Sequence, residues 1–513
     1  MKTVKITLAC VFAFLFFSFA ANAQNGSKTY VEGELLVKFR SGVTVGSIRA
    51  KNVEMGAQIL ENFADLGWQR VKLPEGLNLK KAIAAYEQMP EVEAVQPNFY
   101  YHLQAVPNDT QFGSLWGMTK ISAPAAWDLT TGSSTVVVAV IDTGMKYTHE
   151  DLAANVWTNP GEINGNGIDD DGNGFIDDYY GWDFFYDDSD PYDEHGHGTH
   201  VAGTIGAVGN NGLGVAGVNW NVRIMPIKIY NSSGYGTTST MLINAYNYIR
   251  MMKNRGVNIR VTNNSYSGCD EACGYDQATK DAIDALGEAG ILNVFAAGND
   301  SRNVETNPAY PASYTSPSIL SVAASTSSDA RAGFSNWGTT SVDLAAPGQG
   351  ILSTVMSAAN YGTMSGTSMA APHVAGAAAL LAAYNPELSP VSLKATLMNT
   401  VDVLPAWTTL AKSGGRLNID RALRDQTVCS FSLSSDSLLV PTKGGVFTVS
   451  VTAPANCDYS VKSDSNWISV LSSDTLSGSG SVTFRVSVNP TITRTGTLTI
   501  AGQTLTVTQS RVN

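Results

Sequence analysis

Three polar residues stand in glycine-flanked motifs and together could carry out nucleophilic catalysis. Asp142 follows the apolar part of VVVAVIDTG, His197 lies in HGHGTHVAG, and Ser368 lies in GTMSGTSMAAPHVAG. A serine hydroxyl is a weak nucleophile at neutral pH, so it needs a nearby base, and the base needs an orienting carboxylate. Each residue alone has an ordinary alternative: an Asp that ends a strand, a loop His or a Ser that caps a helix. Together, in the order Asp, His, Ser, they predict a catalytic triad, and this order differs from that of the α/β-hydrolases.

The histidine-rich stretch permits a metal site as another interpretation. His197 and His200 could share one face of a helix, but the glutamate of the HExxH zinc motif is missing between them. We therefore expect His200 to pack and hydrogen-bond inside the following helix, and His195 to lie in a loop.

Residues 105–425 have the pattern of an α/β domain. Short apolar runs alternate with Gly- and Ala-rich helical segments, which predicts a parallel sheet flanked by helices. Open α/β sheets place their sites at the carboxyl ends of the strands, and Asp142 is predicted to lie at such an end. The predicted strands include Val136–Ile141, Arg223–Tyr230, Ile259–Asn264 and Ile291–Ala296.

Two smaller domains are predicted on either side of this one. Residues 24–104 form a small α+β domain, with strands at Tyr30–Arg40 and Val92–Tyr101 and a helix at Leu79–Met89. Residues 427–513 are rich in Ser, Thr and Val with period-two alternation, which predicts an all-β sandwich. Its predicted strands are Val446–Val451, Tyr459–Lys462, Val482–Val488 and Thr497–Thr508.

The first 23 residues are typical of a signal peptide. Lys2 and Lys5 precede an apolar run that ends in the cleavage pattern Ala21-Asn22-Ala23. A membrane anchor is the alternative, but the run is short for a spanning helix. We therefore expect a secreted, extracellular protein.

Export permits disulfide bonds, and the cysteines suggest two local pairs. Cys10 lies in the predicted signal peptide, which leaves an even set of four. We expect pairs Cys269–Cys273 and Cys429–Cys457. A metal site at the first pair is the alternative, but no neighbouring His or Cys completes it.

The net charge argues against nucleic acid and anionic membranes as partners. The 513 residues carry a net charge of −12, whereas both partners attract clustered Lys and Arg.

The region from about residue 115 to 424 resembles the catalytic domain of the subtilase family. Besides the three motifs above, the resemblance rests on AAGN at 296–299, VDLAAPG at 342–348 and GRLNID at 415–420. It implies a serine endopeptidase in which Ser368 is the nucleophile, His197 the general base and Asp142 its orienting carboxylate. It further implies that Asn299 donates its side-chain N–H to the oxyanion, with the backbone N–H of Ser368 as second donor. On its own, Asn299 would be a turn residue.

The resemblance also implies where a protein or peptide substrate would lie, extended as an added β-strand. Gly234 and Gly236 match the strand edge that pairs with the substrate. Ser267 departs from the family, where Gly is usual, so the preference for substrate side chains is open. The residues that match the walls of the specificity pocket are Ser265, Tyr266, Ser267, Ala296, Ala297 and Gly298.

An acidic insertion, residues 159–184, lies between Asp142 and His197. Its spacing resembles the first half of an EF-hand loop, with alternating oxygen ligands and a Gly at the sharp turn. Adjacent carboxylates repel one another, which favours a bound Ca²⁺ over a solvated acidic turn. Tyr180 stands where an EF-hand has its bidentate Glu. The predicted ligands are Asp169, Asp171, Asn173, Phe175 through its carbonyl, Asp177 and Asp178.

A second calcium site is a weaker prediction. Asp151 and the loop 209–214 (GNNGLG) resemble parts of the common calcium site of the family, although the loop itself lacks a carboxylate.

The flanking domains also resemble known modules. Residues 24–104 resemble subtilase propeptides through EGELLVKF and VQPNFYY, which implies that the chain's own propeptide is a partner and is cleaved near Leu103–Asn108. Residues 427–513 resemble a BACON-type sandwich through Trp467-Ile468 and Arg494-Thr495-Gly496. The second resemblance implies glycan or cell-surface contact, with Trp467 either a stacking platform or a core residue.

Two other functions compete with an active endopeptidase. A non-catalytic adhesion protein on a subtilase scaffold would not need all four catalytic positions filled, as they are here. A serine esterase is the third hypothesis, and the order of the triad argues against it.

Overall fold

The computed structural model of the chain describes residues 30–100, 105–266, 274–489 and 492–510. The predicted signal peptide, Ser267 and the Cys269–Cys273 pair lie outside the described residues. The chain divides into two units, 1–103 and 104–513. Among the helices that the structure describes, none combines the length and the apolar character that a membrane span requires.

The first unit is a four-stranded antiparallel sheet in the order β2-β3-β1-β4, with two helices. Leu35 and Val37 of β1 and Val71 of β3 are fully buried against α2, which contributes Ala82 and Tyr86. The predicted strand, helix and strand are present; α1, β2 and β3 lie in the stretch where we made no prediction. The elements are β1 (Tyr30–Phe39), α1 (Val45–Glu54), β2 (Gln58–Phe63), β3 (Trp68–Lys72), α2 (Leu79–Glu87) and β4 (Val92–Phe99).

The second unit opens with an α/β region. Its elements, in chain order, are α3 (Trp116–Lys120), α4 (Ala123–Trp127), β5 (Gly132–Asp142), β6 (Trp182–Asp183), α5 (His197–Gly206), β7 (Asn221–Lys228), α6 (Ser239–Asn254), β8 (Ile259–Asn264), α7 (Gln277–Glu288), β9 (Leu292–Ala296), β10 (Ile319–Ser325), β11 (Leu344–Pro347), β12 (Ile351–Thr354), β13 (Tyr361–Met364), α8 (Thr367–Tyr384), α9 (Pro390–Asn399), β14 (Asp402–Val403), β15 (Gly415–Arg416) and α10 (Ile419–Arg424).

Nine of these strands form one sheet in the order β14-β15-β11-β10-β9-β8-β5-β7-β6. Every pairing is parallel except β14 with β15 at one edge. The sequence prediction of a parallel sheet flanked by helices is therefore confirmed, with one antiparallel edge added.

The central strand β5 is buried on both faces. Val136, Val138 and Val140 join one core with α5 and α8, whereas Val137 and Ile141 join the other core with α6 and α7. Because side chains alternate along a strand, a continuous apolar run is what a two-sided sheet requires.

Parallel pairing brings several polar chain segments to one edge of the sheet. β5 ends at Asp142, β8 ends at Asn264 and is followed by Ser265, and β9 ends at Ala296 just before Asn299. Ile141 is the register partner of Asn264, so Asp142 and Ser265 lie at neighbouring strand ends.

The C-terminal part of this unit is a β-sandwich with sheets β16-β18-β22-β20 and β17-β24-β23-β19-β21. Two of its four predicted strands fall within β18 and β19, and a third, Val482–Val488, overlaps β22 but runs two residues past its end. The single strand predicted for Thr497–Thr508 is wrong: Ala501 (φ 53°) and Gly502 (φ 73°) turn the chain into the hairpin β23–β24. The strands are β16 (Ser432–Leu433), β17 (Ser437–Val440), β18 (Gly445–Thr452), β19 (Asp458–Ser463), β20 (Ile468–Val470), β21 (Thr475–Ser477), β22 (Gly480–Val486), β23 (Arg494–Ile500) and β24 (Gln503–Gln509).

The sandwich is fixed against α9. The predicted Cys429–Cys457 disulfide is present. The buried Lys394 of α9 pairs with Asp458 of the sandwich at 2.8 Å and with Asp343 at 3.4 Å. A buried ammonium needs such partners, so this ion pair ties the sandwich to the α/β region.

Trp467 packs with the sandwich core. The ring is partly buried against that core, and the Arg494 guanidinium lies 4.2 Å from the ring centroid. This arrangement favours the core interpretation over a sugar-stacking platform.

Candidate active site

Asp142 is held at the centre of the sheet edge. Its side chain is buried, and the Thr143 backbone N–H donates to Asp142 Oδ1 at 2.7 Å. The same oxygen lies 2.7 Å from His197 Nδ1. The predicted carboxylate and base are therefore hydrogen-bonded to each other, which leaves Nε2 of the imidazole for another partner.

His197 is the first residue of α5, and the glycine after it permits its close approach to β5. A Cβ on Gly198 would lie 2.1 Å from the Gly144 carbonyl oxygen and 3.2 Å from Asp142 Oδ1. Any larger residue at Gly198 would therefore push the helix away from the strand end.

The pKa of His197 is raised above its ordinary value. Burial alone would lower this pKa, but the Asp142 carboxylate, its hydrogen bond and the charge of Asp193 outweigh that effect. The neighbouring His200 behaves oppositely: it is fully buried, its Nε2 donates to the Ile351 carbonyl at 2.9 Å, and burial lowers its pKa to about 4. His200 is thus a neutral packing residue, as expected, and His195 is exposed in the preceding loop.

Ser368 is the second residue of α8. Its Oγ donates to the Ser265 carbonyl at 3.0 Å, and Ser265 Oγ donates back to the Ser368 carbonyl at 2.8 Å. Among the described residues, the hydrogen bond of the Ser368 hydroxyl goes to this carbonyl and not to His197. The serine therefore lies at the same edge of the sheet as Asp142, and its hydroxyl is hydrogen-bonded to a backbone carbonyl.

Asn299 is oriented by the residue before Ser368. Its Oδ1 accepts from the Thr367 backbone N–H at 2.9 Å and from Thr367 Oγ1 at 3.0 Å. The amide NH₂ then faces the other way, beside Gly366, where a Cβ would lie 3.7 Å from Asn299 Nδ2 and 3.5 Å from the Ser368 backbone nitrogen. Both predicted oxyanion donors therefore lie close to the same point in space, beside Gly366.

The predicted substrate residues surround these groups. Gly234 and Gly236 adopt positive φ, and a Cβ on Gly234 would lie 3.2 Å from His195 Nε2, so their loop lies beside the His197 segment. Ala296 and Ala297 are buried.

Two further residues of the predicted specificity pocket, Gly298 and Tyr266, are held by hydrogen bonds. The Gly298 N–H donates to Thr367 Oγ1 at 3.1 Å. The Tyr266 hydroxyl donates to Asn264 Oδ1 at 2.8 Å and bonds to the Tyr246 hydroxyl. The phenol of Tyr266 is therefore held by polar partners inside the domain.

The acidic insertion folds around three carboxylates. Glu162, Asp171 and Asp178 offer oxygen atoms that all lie within 4.8 Å of one another. Glu162 Oε2 is buried without a hydrogen-bond partner, whereas Asp171 Oδ1 lies 3.1 Å from Arg255 Nη2 in an ion pair. Burial also raises the pKa of Glu162 and of Asp178. Such a cluster of hard oxygen donors fits Ca²⁺.

The other predicted calcium ligands are placed around this cluster. Asn173 Nδ2 donates to Asp178 Oδ2 at 2.9 Å, and the Phe175 ring packs edge-on against Trp182. Asp169 instead accepts the backbone N–H groups of Asn173 and Gly174, and Asp177 accepts those of Asn166 and Gly167.

Two acidic residues near the predicted cation sites were missed from the sequence. Glu162 lies seven residues before Asp169 in the same insertion, outside the EF-hand-like spacing. Asp109 was not recognised because it is distant in sequence from Asp151 and the loop 209–214. Asp109 accepts the Asn210 N–H at 2.6 Å, and its Oδ1 is buried without a partner. Asp151 is fully buried and accepts from Asn211 at 2.7 Å.

Comparison with known proteins identifies three matching regions. Residues 133–424 match the subtilase family, residues 19–98 match the fervidolysin N-terminal prodomain, and residues 430–512 match the viral BACON domain.

Individual relatives agree with these matches. The chain is 33% identical to a thermophilic serine proteinase of Bacillus sp. (strain AK1), over 77% of this chain and 88% of that protein. It is 32% identical to an extracellular protease of Xanthomonas campestris, over 79% and 73% of the respective chains. A solved structure among the proteases from Pseudoalteromonas arctica is 32% identical, with a TM-score of 0.51, over 62% of this chain and 99% of that one. The chain therefore belongs to the subtilase family and is a subtilisin-like serine endopeptidase with an N-terminal prodomain and a C-terminal BACON domain.

Proposed function

We propose that this endopeptidase hydrolyses peptide bonds through Ser368, His197 and Asp142. The observation that carries the proposal is the 2.7 Å bond between His197 Nδ1 and Asp142 Oδ1 at the sheet edge where α8 presents Ser368. Buried Asp142 fixes the imidazole so that Nε2 is the free base.

In the proposed reaction, Ser368 Oγ turns from the Ser265 carbonyl to His197 and attacks the scissile carbonyl carbon. His197 Nε2 takes the hydroxyl proton and gives it to the leaving amine, which leaves an acyl-enzyme. Water, activated by the same nitrogen, then releases the new carboxylate and restores Ser368.

The negative charge on the tetrahedral oxygen would be stabilised by two donors. These are Asn299 Nδ2, oriented by Thr367, and the backbone N–H of Ser368. Both are positioned before substrate binds, which is the condition under which such donors contribute most.

We further propose that the substrate binds as an extended strand. Gly234 and Gly236 would pair with its backbone on one side and Ser265–Ser267 on the other, while Ala296–Gly298 line the pocket for the side chain before the cut.

The test is hydrolysis of an internally quenched peptide by the mature protein and by Ser368→Ala whose prodomain has been removed with an added protease. We expect the variant to retain the fold and to lose at least about 10³-fold in kcat. A fully active Ser368→Ala would refute the proposal. A fold-intact wild type without hydrolysis would favour the adhesion hypothesis, and hydrolysis of esters alone would favour an esterase.

Secretion and self-processing form a second part of the proposal. The signal-like segment 1–23 and the extracellular Xanthomonas relative support export, and the prodomain match supports a zymogen that cleaves itself near Leu103–Asn108. The test is the secreted Ser368→Ala variant: intact prodomain is expected, and cleavage without added protease would exclude self-processing.

We propose Ca²⁺ as a structural ion of the acidic insertion, held by Glu162, Asp171 and Asp178. The buried, unpartnered Oε2 of Glu162 and the approach of the three carboxylates to one another support this assignment. Bound Ca²⁺ would neutralise their repulsion and fix the loop, without a part in the reaction. Of the six ligands predicted from the sequence, this proposal keeps Asp171 and Asp178 and adds Glu162. The predicted ligands that it leaves out are Asp169, Asn173, Phe175 and Asp177.

The calcium test compares melting temperatures in Ca²⁺ and in chelator. We expect Ca²⁺ to stabilise the wild type by about 3 kcal/mol at a hundredfold excess over Kd, and to stabilise Glu162→Gln much less. Asp187→Asn is the matched control, because Asp187 is exposed and Asn tolerates its positive φ of 59°. Equal stabilisation of Glu162→Gln and wild type would contradict the assignment.

A second ion is proposed at Asp151 and the loop 209–214, with Asp109 as the second carboxylate. The buried, unpartnered Oδ1 of Asp109 supports it. Asp109→Asn should lower the Ca²⁺ stoichiometry by one in calorimetric titration, and an unchanged stoichiometry would reject this ion.

For the C-terminal sandwich we propose a contact role toward glycans or cell surfaces, supported by the BACON match alone. Retention of full-length Ser368→Ala on immobilised mucin tests it, and elution at the void volume would count against it. Since Trp467 packs with the core, we expect Trp467→Ala to change stability rather than retention.

A further inference from the structure

We propose that Asp193 is a positioning residue that holds His197 in its reactive orientation. The inference rests on the proposed triad and adds a second buried carboxylate beside the His197 segment. Asp193 lies four residues before His197, in the loop that leads from the acidic insertion to α5.

Asp193 is fully buried and accepts five hydrogen bonds. Its Oδ1 accepts from the backbone N–H of His195 at 2.9 Å, from that of Gly196 at 2.8 Å and from Thr143 Oγ1 at 2.9 Å. Its Oδ2 accepts from Thr199, through the backbone N–H at 2.9 Å and the hydroxyl at 2.6 Å. A carboxylate so fully satisfied is held in one orientation.

These bonds connect the two chain segments that carry Asp142 and His197. Thr143, directly after Asp142, donates its hydroxyl to Asp193 and accepts the Gly198 N–H at 2.9 Å. Gly198 directly follows His197. The strand end and the helix start are thus cross-linked through Thr143 and Asp193, which together bind residues before and after His197 in the sequence.

Asp193 also stabilises the start of α5. Gly196, the residue before the helix, has no side chain to cap it, and Asp193 accepts the N–H of Thr199 in the first turn. A negative charge at a helix N-terminus is favourable. The first turn of α5, which presents His197, is therefore fixed by this carboxylate.

The charge of Asp193 also acts on the imidazole. The groups that face His197 are Asp142 at the end of β5, His195 and Asp193 in the loop, and His200 inside α5. Of these, Asp142 and then Asp193 raise the pKa of His197, and Asp193 does so without touching the ring. The pH profile of a variant therefore reports the charge of Asp193, whereas kcat at the pH optimum reports how well His197 is positioned.

The adjacent Glu194 provides a matched control. It lies in the same loop, is largely exposed, and approaches Lys228 at 3.8 Å rather than the triad. Glu194→Gln removes the same charge at nearly the same place without the five hydrogen bonds.

The experiment measures kcat and KM of the mature enzyme against pH for the wild type, Asp193→Asn and Glu194→Gln. For Asp193→Asn we expect about a ten- to hundredfold lower kcat, KM within twofold, and an acid limb shifted to lower pH. Glu194→Gln should follow the wild type. A folded Asp193→Asn with wild-type kcat and an unmoved acid limb would overturn the proposal.

Thr143→Val keeps the proposal testable if Asp193→Asn does not fold. This variant keeps the charge of Asp193 but removes the hydrogen bonds that the Thr143 hydroxyl makes with Asp193 and Gly198. The value of kcat should therefore fall about fivefold while the acid limb stays in place. Wild-type kcat in Thr143→Val would contradict the positioning role. His197→Ala in the same assay separates the hypotheses: an active His197→Ala refutes the triad itself, whereas an inactive one with unaffected Asp193→Asn refutes only the role of Asp193.

Discussion

The two halves of the candidate site differ in how far they are prepared for reaction. On the β5–α5 side, His197 and Asp142 are already bonded at 2.7 Å, and their flanking residues are cross-linked by buried hydrogen bonds. On the α8 side, the Ser368 hydroxyl is bonded at 3.0 Å to the Ser265 carbonyl instead of to the base. The proposed base is fixed by the fold, whereas the position of the proposed nucleophile depends on the torsion of one short side chain.

This difference has a physical origin. Asp142 and His197 meet because a strand end and a helix start are held by backbone contacts, including the close approach that Gly198 permits. The Ser368 hydroxyl is free to rotate, and the nearest backbone acceptor holds it until it turns to the base. Changes on the first side should therefore impair the base itself, and changes on the second side should impair the oxyanion donors or the first turn of α8.

The largest effect on kcat is expected for Asp142→Asn, on the β5–α5 side of the site. The amide cannot hold the imidazole in the tautomer that leaves Nε2 free, so kcat should fall by about four orders of magnitude with little change in KM. Steady-state kinetics on the quenched peptide measure this. A loss below tenfold would mean that the Asp142–His197 bond is not what activates the site.

Asn299→Ala tests the other side and should cost less. Losing one oxyanion donor lowers kcat by about two to three orders of magnitude, while KM stays within a few-fold because the ground state is barely affected. Should the loss appear in KM instead, Asn299 would contact the substrate rather than the transition state.

The pH dependence of the wild type sharpens the comparison further. The active form of His197 is neutral, and its pKa lies above the ordinary 6.5. Activity should therefore rise with pH along an acid limb whose midpoint lies above 6.5, falling about tenfold per pH unit below it. An acid limb centred below 6.5 in the kcat/KM profile would show that Asp142 and Asp193 do not stabilise the imidazolium.

Thr367→Val should have the smallest effect. Thr367 Oγ1 donates to Asn299 and accepts from Gly298, so the isosteric valine removes both bonds and lets the amide move. We expect kcat to fall about five- to tenfold and the melting temperature to fall by a few degrees. Unchanged kcat would indicate that the Thr367 backbone N–H alone orients Asn299.

The sequence allowed prediction of the parts of the site that lie in contiguous motifs. Asp142, His197, Ser368 and Asn299 each stand in a recognisable segment, and the apolar runs located the central strands. The bond from Ser368 to Ser265 could not be predicted, because it depends on a rotamer and on two strands meeting in space.

Two acidic residues that belong to no recognised motif could not be predicted either. The spacing of Glu162 and Asp109 from the proposed Ca²⁺ ligands beside them matches no motif. Their burial depends on how the loops fold. Likewise, the alternation through Thr497–Thr508 continued across Ala501–Gly502, which hid the turn of the β23–β24 hairpin.

The most direct test of the central claim is labelling of the mature enzyme with a fluorophosphonate, followed by mass-spectrometric location of the adduct. We predict one adduct, on Ser368, formed rapidly in the wild type, far more slowly in Asp142→Asn and not at all in Ser368→Ala. An adduct on another residue, or equal labelling rates in the wild type and Asp142→Asn, would contradict the account.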